Sequence, residues 1–188
     1  MTNVSKYIAL KEFIPIGLPK ISQFELKTET LHLNNSDEVY VKNKWISVDP
    51  FMRARMTERK NYMQPYEIGK PMEGKAIGEV IEANSSNYKK GDIVISNYGW
   101  RDSYISKEKN LKKINISDIP LQAYLGPLGF TGHTAYIGLF RIANLKKNST
   151  VLVSSAGGSV GSIVCQIAKI LGCKVIASTG SDEKVKWL

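Results

Sequence analysis

Cysteine and histidine are scarce in this chain of 188 residues, which contains two of each. Both cysteines, Cys165 and Cys173, fall late in the chain, inside a predicted helix and at the start of the following strand. We interpret them as small apolar packing residues of a protein from a reducing compartment. The N-terminus lacks the basic start and apolar run of a signal peptide, so we expect a cytoplasmic location.

Long uninterrupted hydrophobic runs are also lacking. The most apolar segment, 119–140, is broken by Gln122, Pro127, His133 and several glycines, which favours buried helix and loop over a membrane span. The net charge of +9 is carried by scattered lysine pairs beside turn residues, without zinc-finger, helix-turn-helix or RNA-binding motifs. These features predict no nucleic-acid partner and no membrane partner.

Short strand-like segments dominate residues 1 to about 120, at 24–28, 38–48, 78–83 and 92–96, separated by glycine, proline and Asn-Ser clusters. This spacing is typical of a compact barrel. From Ala123 the pattern changes to a glycine-broken apolar helix near 134–139 and then to alternating strand and helix. We therefore predict two domains, 1–122 and 123–188, without internal repeats.

A glycine-rich turn follows the apolar strand that begins at Val151, and a helix then continues to about Gly172. The segment 156–161 aligns with the motif G-x-G-x-x-G, with Ala156, Gly158 and Gly161 at the three glycine positions. The first N–H groups of such a helix have no intrahelical partner and point at an anion with the positive end of the helix dipole. The pattern predicts a site for a dinucleotide pyrophosphate; a loop that merely connects strand and helix is the alternative.

The end of the second strand, predicted at 174–179, indicates which dinucleotide binds. An NAD site usually offers a carboxylate there to the ribose 2′-hydroxyl, whereas this strand ends in Ser178, Thr179 and Gly180. Ser181 is a predicted N-cap of the next helix, and Lys184 lies in its first turn. A cation there opposes the helix dipole but suits the extra phosphate of NADP. The alternative is that Lys184 is a solvated surface residue.

Four segments match one family in register and in the same order. They are VDPFMRARM (48–56), GDIVISNYGWRDSY (91–104), LGPLGFTGHTAYIGL (125–139) and GSDEK (180–184). With the glycine-rich turn they resemble the zinc-independent branch of the medium-chain dehydrogenase/reductase superfamily, which contains prostaglandin reductases, leukotriene B4 12-hydroxydehydrogenases and plant alkenal double-bond reductases. The resemblance implies an α/β plus β fold: a GroES-like, partly open β-barrel followed by the first βαβ portion of a Rossmann fold.

The resemblance also implies an NADPH-dependent oxidoreductase that reduces the carbon–carbon double bond of α,β-unsaturated aldehydes and ketones. Hydride would pass to the β-carbon, and the resulting enolate would be protonated at the α-carbon. Carried over by position, the pyrophosphate ligands are Gly158, Ser159, Val160 and Gly161, the 2′-phosphate ligand is Lys184, and the pocket residues are Phe51 and Met52. No catalytic residue is assigned. The expected partner is a small enone, alkenal or quinone, because zinc-independent quinone oxidoreductases share this scaffold.

The zinc-dependent branch of the same superfamily needs cysteine and histidine ligands in the barrel. Here both cysteines lie in the second predicted domain and the only histidines are His32 and His133, so we expect no metal site. The family continues with further Rossmann strands after the position of Leu188. We therefore expect impaired or no turnover from this truncated chain, and an uncovered apolar half-sheet that a homo-oligomer could cover. A non-catalytic, partner-dependent binding fragment is the remaining alternative.

Overall fold

Antiparallel strands dominate the first of the two units into which the chain divides, residues 1–118 and 119–188. The computed structural model describes residues 3–59, 63–115 and 118–188. The strands of the first unit are β1 (Asn3–Leu10), β2 (Phe24–Leu31), β3 (Glu38–Ile46), β4 (Ala76–Ala83), β5 (Ile93–Ser96), β6 (Ser103–Lys107) and β7 (Lys112–Ile114). One short helix, α1 (Phe51–Arg55), lies between β3 and β4. The domain ranges 1–122 and 123–188 stay a prediction.

The strands of the first unit form two antiparallel sheets. β1 pairs with β2, and the larger sheet has the order β6-β3-β4-β5-β7. In β3 the side chains alternate between the two faces, so that Val39 and Val41 are fully buried while Lys42 is exposed. The buried face packs in one cluster, which consists of Val39, Val41, Val80, Val94, Tyr104 and Leu111.

Helix α1 starts directly after Pro50, whose φ of −57° is already helical and whose missing N–H costs nothing at a helix start. Met52 and Met56 are four residues apart and therefore face the same side of the helix. This side packs into a second buried cluster, which consists of Leu10, Ile14, Met52, Met56, Tyr66 and Met72. The helix is thus held by apolar burial rather than by its own five residues.

Arg55 supplies the polar attachment of α1. Its Nη2 donates to Glu73 at 2.9 Å and its Nε donates to the carbonyl of Gln64 at 2.8 Å. The guanidinium lies 4.1 Å from the centre of the Tyr66 ring, and the Tyr66 hydroxyl donates to the carbonyl of Glu73 at 2.8 Å. Burial raises the pKa of Tyr66 to about 12. These contacts tie α1 to the segment that leads into β4.

The second unit contains a parallel strand pair with a helix between the strands in sequence. Its elements are α2 (Phe130–Tyr136), β8 (Thr150–Val153), α3 (Ser159–Ile170), β9 (Lys174–Ala177) and α4 (Asp182–Trp187). α2 runs on into a π-helical turn over Ile137–Ile142. α3 ends before Gly172, which takes a φ of 75° that favours glycine.

The predicted fold class is confirmed: an antiparallel β unit precedes the first βαβ portion of a parallel sheet. The predicted strands at 24–28, 38–48, 78–83 and 92–96 correspond to β2, β3, β4 and β5. β9 is shorter than the predicted 174–179, because its partner β8 ends at Val153 and Ser178 makes the last ladder bond to it, at 2.9 Å. β1, β6, β7 and α1 were not predicted.

In the second unit Leu152 of β8 and Ile176 of β9 are 73% and 47% exposed. The uncovered half-sheet, and a homo-oligomer that covers it, stay predictions. In the part of the chain that the structure describes, no helix has both the length and the apolar character needed to cross a membrane.

We expect Arg55→Ala to lower the free energy of unfolding by about 1–2 kcal/mol, because it removes a buried side chain together with its hydrogen bonds to the Gln64 carbonyl and the Glu73 carboxylate and its contact with the Tyr66 ring. Arg53→Ala is the matched control on the same helix, since Arg53 is more exposed and, among the described residues, its side chain donates only to the carbonyl of Gly17. Its expected cost is under about 1 kcal/mol. Urea unfolding of both variants checks this, and equal losses would contradict it.

Candidate functional site

The turn between β8 and α3 is tightly closed by its own backbone. Ser155 takes a φ of 49°, and its carbonyl accepts a hydrogen bond from the N–H of Gly158 at 2.9 Å. The N–H of Ala156 donates to the carbonyl of Ser178 beyond β9, at 2.9 Å, and the Ala156 side chain is fully buried. The left-handed residue is therefore Ser155, which explains why alanine is accepted at the first glycine place.

Several peptide N–H groups at the start of α3 have no acceptor among the described residues. The N–H groups of Gly157, Ser159, Val160 and Gly161 make no hydrogen bond to any residue that the structure describes. The helical ladder begins only with Ser162, which donates to the carbonyl of Gly158 at 2.9 Å. Because these donors lie at the positive end of a helix of 12 residues, they can bind an anion without any side-chain cation.

Gly161 allows α3 to approach the turn closely. A Cβ at this position would collide with the carbonyl oxygen of Ser155 and would lie 2.8 Å from Cα of Ala156. Any side chain would push the helix away from the tip of β8, and the free N–H groups would move with it. This is the packing role expected of the third glycine of the motif.

Lys184 lies across the same turn. Ser181 caps α4 by accepting from the N–H of Lys184 at 3.3 Å, which fixes that residue in the first turn of the helix. Cβ and Cδ of Lys184 lie 3.1 and 3.2 Å from the point where Gly157 would carry a Cβ. The structure therefore brings the predicted ligands Gly158, Ser159, Val160 and Gly161 and the predicted ligand Lys184 to one place.

Phe51 and Met52 lie in the first unit. Met52 is 3% exposed and belongs to the buried cluster under α1, with its Cε 2.5 Å from the ideal Cβ position of Gly74. Phe51 packs on the outside of that cluster and stays partly exposed. A cavity of about 700 Å³ in this unit has other lining residues: Phe13, Pro15, Ile16, Thr57, Glu58 and Arg59. The role of Phe51 and Met52 in a substrate pocket stays a prediction.

Two contributions to the site were missed by sequence reasoning. The left-handed Ser155 has no sequence signal, because serine is not a residue that favours positive φ. The hydroxyl of Thr179 approaches the glycine-rich turn, with Oγ1 3.0 Å from the ideal Cβ position of Gly157. Its place at the end of the predicted second strand was visible in the sequence, but the direction of its side chain was not. Among the described residues no cluster of His, Cys, Asp and Glu could hold a metal ion.

Several known proteins are similar to this chain in sequence and in fold. Residues 6–114 match the family model described as the N-terminal domain of oxidoreductase. YfmJ of Bacillus subtilis (strain 168) is 45% identical over 174 residues, which are 93% of this chain and 51% of YfmJ. The 2-alkenal reductase (NADP(+)-dependent) of Nicotiana tabacum is 41% identical over 189 residues, 98% of this chain and 55% of that protein.

A solved structure extends the comparison. CurA from Vibrio vulnificus, crystallised in complex with NADPH, is 32% identical and superimposes with a TM-score of 0.86 over 97% of this chain and 54% of CurA. The chain thus spans about half the length of the curated relatives it matches.

We expect Gly161→Ala to destabilise the second unit by about 1–3 kcal/mol, because the new methyl group meets backbone atoms that cannot rotate away. Gly138→Ala is the matched control, since nothing lies within 4 Å of its ideal Cβ position. Its expected effect is within about 1 kcal/mol of zero. Thermal unfolding of the two variants measures the difference, and an unchanged Gly161→Ala protein would contradict the close approach.

Proposed function

The chain belongs to the zinc-independent branch of the medium-chain dehydrogenase/reductase family, and from that premise we propose that it serves the NADPH-dependent reduction of the carbon–carbon double bond in α,β-unsaturated aldehydes and ketones. The observation that carries this proposal is the row of unpaired N–H groups at the start of α3, beside the side chain of Lys184. The tobacco relative, named a 2-alkenal reductase (NADP(+)-dependent), supports the choice of cofactor and acceptor.

The proposed cofactor contacts divide between the backbone and one side chain. Gly158, Ser159, Val160 and Gly161 line the pyrophosphate site. The N–H groups of Ser159, Val160 and Gly161 meet its charge together with the dipole of α3, whereas the N–H of Gly158 is already bonded to the carbonyl of Ser155, so that Gly158 contributes the space left by its missing side chain. Lys184 pairs with the ribose 2′-phosphate, which an NAD-type carboxylate at the end of β9 would repel. When bound, NADPH supplies the hydride that reduces the acceptor.

The proposed acceptor contacts lie on α1. Phe51 keeps part of its ring exposed and offers an apolar face to a planar conjugated molecule. Met52 belongs to the buried cluster against which this ring packs, and Arg55 fixes the helix through its hydrogen bonds to Gln64 and Glu73. The position of the acceptor surface is thereby set before any ligand binds, which is what orientation of two reactants requires.

Lys184→Ala is expected to weaken the binding of NADPH roughly tenfold and to leave the binding of NADH nearly unchanged, because only NADPH carries the phosphate that pairs with this cation. Lys186→Ala, on the same exposed helix, is the matched control and should change neither affinity. Fluorescence titration with both cofactors at fixed ionic strength measures this. Equal loss of both affinities in Lys184→Ala would remove the 2′-phosphate assignment.

The proposed reduction is tested by mixing the protein with a smaller amount of acceptor and with NADPH that carries deuterium on the nicotinamide ring. We expect saturated product from 2-alkenals, with deuterium at the carbon β to the carbonyl. The protein is used in excess over the acceptor so that the product of a single turnover can be detected. Reduction of quinones without reduction of alkenals would favour the quinone oxidoreductase alternative. Bound NADPH with neither acceptor reduced would favour the non-catalytic alternative.

A further inference from the structure

The hydroxyl of Thr179 lies at the same point of the second unit as Lys184. Thr179 follows the end of β9, where Ser178 is anchored to β8 by its N–H and to Ala156 by its carbonyl, at 2.9 Å each. The threonine side chain is half-buried, and its Oγ1 lies 3.0 Å from the ideal Cβ position of Gly157. Carbon atoms of Lys184 lie 3.1 and 3.2 Å from that position. Both side chains therefore converge over the glycine-rich turn.

Both polar groups lack a partner within the described part of the second unit. Within residues 118–188, as the structure describes them, Oγ1 of Thr179 makes no hydrogen bond and the Lys184 ammonium makes neither a hydrogen bond nor an ion pair. The neighbouring N–H group of Gly157 is likewise unpaired. A hydroxyl donor and a peptide N–H beside the side chain of a lysine match the oxygen atoms of a phosphate group.

We propose that Thr179 is a specificity-determining residue for NADP, in which its hydroxyl donates a hydrogen bond to the same ribose 2′-phosphate that Lys184 neutralises. This inference rests on the proposed function and adds a second ligand to its site. The two residues contribute differently. The lysine brings a point charge on a long flexible stem, whereas the hydroxyl on a short β-branched side chain has a fixed direction and selects the position of the phosphate.

Replacing Thr179 with valine separates a ligand role from a purely structural one, because valine has nearly the same shape as threonine and lacks the hydroxyl. The test uses Thr179→Val, Thr179→Ser and, as a matched control on the preceding residue, Ser178→Ala, whose exposed side chain makes no hydrogen bond within residues 118–188 as described. The probes are adenosine 2′,5′-bisphosphate and adenosine 5′-monophosphate, which differ only in the 2′-phosphate. Binding is measured by isothermal titration calorimetry at two ionic strengths.

We expect Thr179→Val to weaken the binding of the bisphosphate roughly five- to tenfold, since a hydrogen bond to a charged group is lost. The affinity for the monophosphate should not change. Thr179→Ser and Ser178→Ala should retain the preference for the bisphosphate. The loss in Thr179→Val should persist at high salt, whereas the contribution of Lys184 should shrink through screening.

Equal weakening of both probes in Thr179→Val would place the hydroxyl on the shared part of the ligand and overturn the inference. Unchanged binding of both would overturn it as well, since the residue would then act through shape alone. The proposed function has a separate point of failure. If the unaltered protein shows no preference for the bisphosphate, the 2′-phosphate site itself is wrong, and the assignment of Thr179 falls with it.

Discussion

Peptide N–H groups that have no acceptor among the described residues are the feature on which the rest of the proposed site depends. They exist because α3 starts immediately after a closed turn, so that the N–H groups of Gly157, Ser159 and Val160 meet no carbonyl in the part of the chain that the structure describes. Gly161 keeps the helix packed closely onto that turn. In our proposal Lys184 and Thr179 add side-chain donors to an anion site whose main contribution is backbone geometry.

The first unit achieves rigidity by a different route. Its sheets bury alternate side chains in the usual way, but α1 has only five residues and would not be stable as an isolated helix. Two methionines and one arginine attach it to the surrounding chain, and the arginine uses an ion pair, a carbonyl and an aromatic face at once. The helix to which we assign the acceptor surface in our proposal therefore owes its position almost entirely to tertiary contacts.

Much of this architecture was predictable from the sequence, because the strands and helices show regular spacings of apolar residues and glycines. Alternating valines indicated β3, and the glycine spacing with the following apolar face indicated β8, α3 and β9. Ser181 was recognisable as an N-cap from its residue type alone. α1 escaped prediction because five residues are too few to show a period, and the convergence of Thr179 and Lys184 escaped because it depends on side-chain directions across two elements.

In the usual motif a single glycine makes the sharp turn after the first strand. Here two residues, Ser155 and Ala156, share that role in the turn after β8. Ser155 bends the chain at a modest conformational cost, and Ala156 is thereby free to carry a methyl group that is completely buried. That methyl group packs inside the second unit and fixes the turn on which the proposed pyrophosphate site lies. A binding site whose backbone is already held by burial costs an incoming ligand little ordering entropy.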